Sequence, residues 1–116
     1  ADAVLFLAPN YNDALSANLT ACINRLTALF RAVRFYDKAV FGIVVSGYSG
    51  GDIVAGQIIS AMCMNKTFFL PACFALIETA NDAGTALRLP GIEDRISAFA
   101  AGIRTALLKS EQKETL

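Results

Sequence analysis

Residues 39–52 read AVFGIVVSGYSGGD, and this stretch decides the fold class. Its first half is continuously apolar, which is typical of a strand buried on both faces of a parallel sheet. The strand is followed by residues 46–51, a loop with three glycines, and Asp52 is then predicted to be a helix N-cap. A strand, a glycine-rich loop and a helix in this order form one half of a βαβ unit.

The flanking sequence continues the same alternation. An apolar run near the start is closed by Pro9-Asn10, and Ser16 is a suitable N-cap for the helix that follows it. The predicted elements are strands over residues 3–8, 39–46 and 67–70 and helices over residues 16–34, 52–64 and 92–109. Strands that alternate with helices predict an α/β fold with a three-layer, doubly wound parallel sheet.

The length of 116 residues allows one domain at most. The chain opens directly on a buried strand and offers only about three strands, whereas a stable sheet usually has about four to six. We therefore expect residues 1–116 to be the C-terminal portion of a domain, without its first strand-helix units.

Composition excludes several classes of function. Ten basic and ten acidic residues balance, so no net field favours nucleic acid or an anionic membrane. No apolar stretch reaches the ~20 residues that a membrane-spanning helix needs. The chain has no histidine, which excludes Ser-His-Asp catalysis and histidine metal ligation. Three cysteines without CxxC spacing are expected to be buried thiols of a cytoplasmic protein, with no metal site.

Residues 71–91 are predicted to be an unusually long connection. Its first part, residues 71–77, is too apolar for a solvated loop, so it is expected to be covered. One possibility is a homodimer contact through Phe74 and Leu76, and the alternative is that the segment packs against the chain's own last helix.

Two loops carry the candidate site. Ligands of open α/β sheets bind beyond the carboxyl ends of the strands, where residues 9–13 and 46–51 are predicted to lie. Each loop has one tyrosine beside small or amide residues whose backbone can approach a flat ligand. A glycine loop that leads into a helix also presents oriented N–H dipoles to negative charge.

These residues carry a resemblance. Residues 1–12, with Ser16-Ala17 and Leu19, are similar to the segment "ADA-strand, P-x-Y-x-x-x-x-S-A-x-L" of flavodoxin-like NAD(P)H-dependent FMN reductases, a group that includes iron-sulfur flavoproteins and multimeric flavodoxins. Residues 46–51 resemble the second flavin loop of that family. The resemblance implies FMN contacts at Pro9, Asn10, Tyr11, Asn12, Ser46, Gly47, Tyr48, Ser49, Gly50 and Gly51. Nothing in the chain matches the family's FMN phosphate loop, and the cysteines of iron-sulfur flavoproteins are also missing.

The resemblance implies a flavin-dependent oxidoreductase. FMN would take hydride from NAD(P)H and pass electrons to a small acceptor such as a quinone or free flavin, and no side chain is expected to be catalytic. A homodimer or homotetramer is implied as well. The alternatives are a flavodoxin-type electron-transfer module and a flavin-free interaction domain of the same fold.

Overall fold

The computed structural model describes the backbone of residues 1–115 and the side chains of residues 1–109. Strands β1, β2 and β3 are Ala3–Pro9, Ala39–Ser46 and Ala75–Thr79, and helices α1, α2 and α3 are Ala17–Ala32, Gly51–Ile58 and Ile92–Thr115. Helix α2 continues directly into a π-helical segment, Ile59–Met64, and a short 3₁₀ turn, Thr85–Arg88, precedes α3.

The three strands form one parallel sheet in the order β1-β2-β3. Ala3 lies opposite Ala39 at one end of the first ladder, and Ser46 lies opposite Thr79 at the end of the second. Strand β2 is central and almost entirely buried, as its unbroken apolar run predicts. The predicted parallel α/β sheet is confirmed.

Helices cover both faces of this sheet. On one face Phe6 and Val44 pack with Ile23 of α1 and Ile58 of α2. On the other face Phe41 meets Phe99 of α3 edge-on, with ring centroids 6.1 Å apart. The predicted three-layer arrangement is therefore present, with α1 and α2 in one layer and α3 in the other.

The first predicted helix is confirmed to within two residues at each end. Ser16 caps α1 by accepting a hydrogen bond from the Leu19 backbone N–H at 3.2 Å. Ile23 is buried, and Leu19, Leu26 and Phe30 on the same side of the helix pack partly against the core cluster that contains it.

Helix α2 differs from its prediction in two details. Gly50 is the N-cap rather than Asp52, because the chain enters the helix with a left-handed φ of 97°. Val54, Ile58 and Met62 form the face of the helix that packs into the core, whereas Ile53 is half exposed. The second half of the predicted helix, residues 59–64, is π-helical. There the hydrogen bonds span five residues, as between the Asn65 N–H and the Ser60 carbonyl at 3.2 Å.

The third strand was predicted in the wrong place. Residues 67–70 make only an isolated bridge between Phe69 and Ala39, whereas β3 spans Ala75–Thr79. Thr67 has a φ of 65°, which turns the chain before Phe68, and Pro71 limits further pairing. The true strand contains Glu78, a charge that hid it from an apolar-run criterion.

The apolar segment after Pro71 is partly covered by the rest of the chain. Phe74 packs partly against the α2-side core, Leu76 packs against Phe99, and Cys73 lies against Gly102 of α3. Leu76 and Cys73 thus contact the last helix, as the second alternative predicts, whereas Phe74 packs on the opposite face of the sheet. Phe74 and Leu76 are only partly buried, and the homodimer contact through them stays a prediction.

Two further expectations, the burial of the cysteines and the end of the last helix, are also wrong. Cys22 and Cys73 are exposed, and Cys63 is half buried. Burial raises the pKa of the Cys63 thiol. The last helix was predicted to end at residue 109, but α3 is helical as far as Thr115, and this extension contains neither glycine nor proline. Within the described residues, no helix combines the length and apolar character required to cross a membrane.

Candidate functional site

Three loops meet at one edge of the sheet. Because the strands are parallel, the segments that follow Pro9, Ser46 and Thr79 all leave from the carboxyl ends. This is the edge at which open α/β sheets bind ligands. Sequence reasoning predicted the first two loops there and missed the third, because β3 was misplaced.

The first loop is a tight reverse turn. Tyr11 and Ala14 exchange backbone hydrogen bonds of 3.2 and 3.0 Å. Between them, Asn12 and Asp13 have φ values of 54° and 58°. Positive φ at both central residues is the feature of a type I′ turn, which Asn and Asp tolerate better than most residues. The turn holds Tyr11 outward, with 60% of its surface exposed.

Gln57 of α2 fastens this turn. Its Oε1 accepts a hydrogen bond from the Leu15 N–H at 2.9 Å, and its Nε2 donates to the Asp13 carbonyl at 3.0 Å. Both ends of one side chain thus hold the outgoing half of the turn. Sequence reasoning missed Gln57, because a helical glutamine belongs to no motif and its partners are 42 and 44 residues away.

The second loop depends on glycine at Gly50. A Cβ at this position would lie 2.0 Å from Asp13 Oδ1, and the φ of 97° would strain any other residue. Gly51 is also closely packed, since a Cβ there would lie 2.5 Å from Ile77 Cγ2. The predicted importance of these glycines thus has a packing reason, independent of any ligand.

Asn10 joins the two predicted loops. Its Nδ2 donates to Ser46 Oγ at 3.0 Å and, more weakly, lies 3.3 Å from Asp13 Oδ1 and 3.4 Å from the Ser49 carbonyl. A carboxylate and a carbonyl can only accept, so the amide must present its NH₂ group to them. The Asn10 Oδ1 atom is buried and has no hydrogen-bond partner among the described residues.

The third loop, which follows Thr79, packs against the second loop and hydrogen-bonds to it. The Ala80 N–H donates to the Ser46 carbonyl at 2.8 Å, and Thr79 Oγ1 lies 3.5 Å from the Tyr48 carbonyl. The Asn81 side chain fills the space beside Gly47, where a Cβ would lie 2.7 Å from Asn81 Oδ1. Thr79 and Asn81 are further site residues that the sequence did not reveal.

The predicted residues divide into two groups. Pro9 ends β1 opposite Val45, and Asn10, Ser46, Ser49 and the glycines hold the loops together. Tyr11, Asn12 and Tyr48 project outward, and Tyr48 is 79% exposed. The two tyrosines therefore do not cover the core.

The family model for NADPH-dependent FMN reductase matches residues 1–82, which include the first two loops. The chain belongs to the NADPH-dependent FMN reductase family. A curated relative, an FMN-dependent NADH:quinone oxidoreductase from Methylocella silvestris, is 34% identical over 87 residues. The match covers 70% of this chain and 42% of the relative, so the chain spans about two fifths of that protein's length. The resemblance inferred from the two loops is confirmed.

The second loop leaves backbone donors free at this edge of the sheet. Among the described residues, the backbone N–H groups of residues 47–52 donate no hydrogen bond. Those of Gly51 and Asp52 belong to the first turn of α2, where the helix dipole favours negative charge. A carbonyl-bearing ring edge is complementary to such donors. Residues 10–16 and 46–52 contain no Lys or Arg, so neither loop supplies a cationic side chain for the FMN phosphate.

Proposed function

We propose that this chain is the C-terminal portion of an FMN-binding domain in an NAD(P)H-dependent oxidoreductase that reduces a quinone or another small acceptor. The observation that carries the proposal is the set of unpaired backbone N–H groups over residues 47–52, at the sheet edge shared with Asn10 and Tyr11. Family membership supports FMN as the group that they face.

The proposed cofactor contacts are residues 9–12 and 46–51. When bound, FMN supplies the hydride acceptor and donor, and the protein orients the ring and tunes its charge. The N–H groups of the second loop stabilise negative charge on the carbonyl-bearing edge of the ring without an ionisable side chain. Asn10 and Gln57 hold the two loops at a fixed separation, which pre-organises the contacts.

The partial domain is supported by an uncovered strip on β1. Leu5 is 45% exposed and Leu7 is 65% exposed, on the face that α3 covers only over β2 and β3. Strands of parallel sheets are normally covered on both faces. We propose that a strand-helix unit from the rest of the protein pairs with β1 and covers these leucines, and that it also provides the FMN phosphate contacts.

A flavin titration tests the cofactor proposal. Purified protein is titrated with FMN, and quenching of flavin fluorescence reports binding. Tyr48→Ala should weaken FMN binding by about tenfold, the scale of an aromatic contact. Tyr36→Ala is the matched control, because Tyr36 is 67% exposed and follows α1, at the opposite edge of the sheet. Equal losses from both variants would contradict the proposed site.

The electron-transfer alternative is tested with the nicotinamide. Stopped-flow mixing of the FMN-loaded protein with NADPH or NADH, followed by flavin absorbance, should show rapid bleaching and then reoxidation by a quinone. A protein that binds FMN but is not reduced by either nicotinamide would support an electron-transfer module. Sedimentation of the same sample tests the homodimer or homotetramer, which stays a prediction.

A further inference from the structure

A basic cavity lies on the opposite side of the molecule from the proposed flavin loops, residues 9–12 and 46–51. It has a volume of about 590 Å³ and is situated between the C-terminal half of α1 and the end of the π-helical segment. Its polar and aromatic lining consists of Asn24, Thr27, Phe30, Arg31, Arg34, Asn65 and Lys66. Helices α1 and α2 start at the carboxyl edge of the sheet and run back from it, so this cavity is at the amino edge.

The helical layer around the cavity carries only positive charge. Residues 14–36 and 53–77 contain three arginines and one lysine but neither Asp nor Glu, although the whole chain is neutral. Among the described side chains, the only ion pair is between Arg95 and Glu78, on the α3 face. The cations of the cavity therefore have no carboxylate partner in the described part of the chain.

The polar side chains from α1 form a single stripe. Asn24, Thr27, Arg31 and Arg34 follow one another at steps of three and four residues, which places them on one side of the helix. This stripe borders the core stripe that contains Ile23 and Phe30. Lys66 faces it from the other wall of the cavity.

Of the three cationic side chains in the cavity, Arg31, Arg34 and Lys66, only Arg34 hydrogen-bonds to the end of α1. The Arg34 guanidinium donates to the Phe30 carbonyl and lies 4.4 Å from the centre of the Phe30 ring. Lys66 Nζ is 5.8 Å from the same ring, at the outer limit of a cation–π contact. The Arg31 guanidinium has no hydrogen-bond partner among the described residues, and the Asn24 and Thr27 side chains have none either. These groups are free to bind a ligand.

We propose that this cavity binds a small phosphorylated anion. Arg31 and Lys66 would neutralise the phosphate from opposite walls, with Asn24 and Thr27 as neutral donors, and arginine forms paired hydrogen bonds with phosphate oxygens. The volume is in the range of small-molecule sites, about 300–1,000 Å³. The site is separate from the flavin loops, so it does not depend on the proposed function.

Calorimetric titration with inorganic pyrophosphate tests the proposal. The titration is run without FMN and again with one equivalent of FMN, which distinguishes a phosphate contact of the flavin site from binding in the cavity. Arg31→Gln and Lys66→Gln should each weaken pyrophosphate binding by about tenfold, the scale of one charge-assisted contact. Arg104→Gln, an equal loss of charge at an exposed position on α3, should leave the affinity unchanged.

Three results would overturn the proposal. The first is an equal loss from Arg104→Gln, which would indicate a general charge effect. The second is adenosine binding as tightly as AMP, since the phosphate would then contribute nothing. The third is binding of a polyglutamate peptide without binding of pyrophosphate, which would indicate an acidic protein partner. Thermal unfolding of each variant checks its fold, and because Arg31 and Lys66 lie on different elements, one variant suffices if the other is unstable.

Discussion

Gly50 is the position at which the packing between the two predicted site loops, residues 9–13 and 46–51, can be measured. Replacement by Ala forces an L residue to keep a φ of 97°, at a cost of about 1–2 kcal/mol. The new Cβ would also lie 2.0 Å from Asp13 Oδ1, so the carboxylate must move and lose its contact with Asn10. That contact adds about 1 kcal/mol, and the expected total loss of stability is about 2–3 kcal/mol.

A second glycine separates strain from overlap. Gly84 has a φ of 78°, but a Cβ at this position would meet no other group within 4 Å. Gly84→Ala therefore introduces backbone strain without steric overlap. Urea unfolding of the two variants, followed by circular dichroism, should give Gly50→Ala the larger loss by about 1 kcal/mol. Any gain from reduced freedom of the unfolded chain is common to both and cancels in this comparison.

Removal of the Asp13 side chain should reduce the difference in stability between the two alanine variants. Asp13→Gly tolerates the φ of 58° and takes away the overlapping carboxylate. In this background, the difference between Gly50→Ala and Gly84→Ala should shrink to the effect of the remaining close approach to Asn10 Nδ2, at 3.1 Å. FMN binding should recover part of what Gly50→Ala alone removes. Our account of the loop contact is refuted if the two alanine variants are equally stable in the wild-type background, or if Asp13→Gly leaves their difference unchanged.

Three further variants or probes test other parts of the structure. Gln57→Met removes both hydrogen bonds to the first loop, should cost about 1–3 kcal/mol in urea unfolding, and should speed hydrogen exchange of the Leu15 amide. Phe99→Ala opens a cavity beneath α3 and should lower the free energy of unfolding by about 3–5 kcal/mol. Cys63 should react with iodoacetamide more slowly than the other two cysteines and at higher pH, because burial raises its pKa and the thiolate is the reactive form. Equal rates at all three cysteines would contradict its burial.

Sequence predicted the elements that rest on local signals. Strand β2 is an unbroken apolar run, and the N-cap at Ser16 fixes the start of α1 through a contact only three residues long. Strand β3 could not be found in this way. Its Glu78 is buried because Arg95, 17 residues away on α3, binds both carboxylate oxygens. An acid interrupts the apolar pattern, and the sequence does not show that a later helix will pair with it.

The candidate site shows the same division. The loops at residues 9–12 and 46–51 stand out because proline, glycine and tyrosine follow apolar runs directly. Gln57 and Asn81 could not be recognised from the sequence, because each contacts a loop that is distant in sequence and becomes a neighbour only in the folded chain. The exposure of Tyr48 could not be predicted either, because it depends on contacts that Thr79 and the groups beside Gly47 make with the loop.

The uncovered outer strand has a consequence for handling the polypeptide. Within the described residues, one side of β1 is unpaired, so its backbone N–H and C=O groups remain available beside Leu5 and Leu7. An open edge flanked by apolar side chains is a template for addition of further strands from other molecules. Residues 1–116 expressed alone should therefore form assemblies that grow with concentration and bind amyloid dyes. Lysine in place of Leu7, a charge of the kind that natural edge strands use, should suppress this growth while the fold is retained.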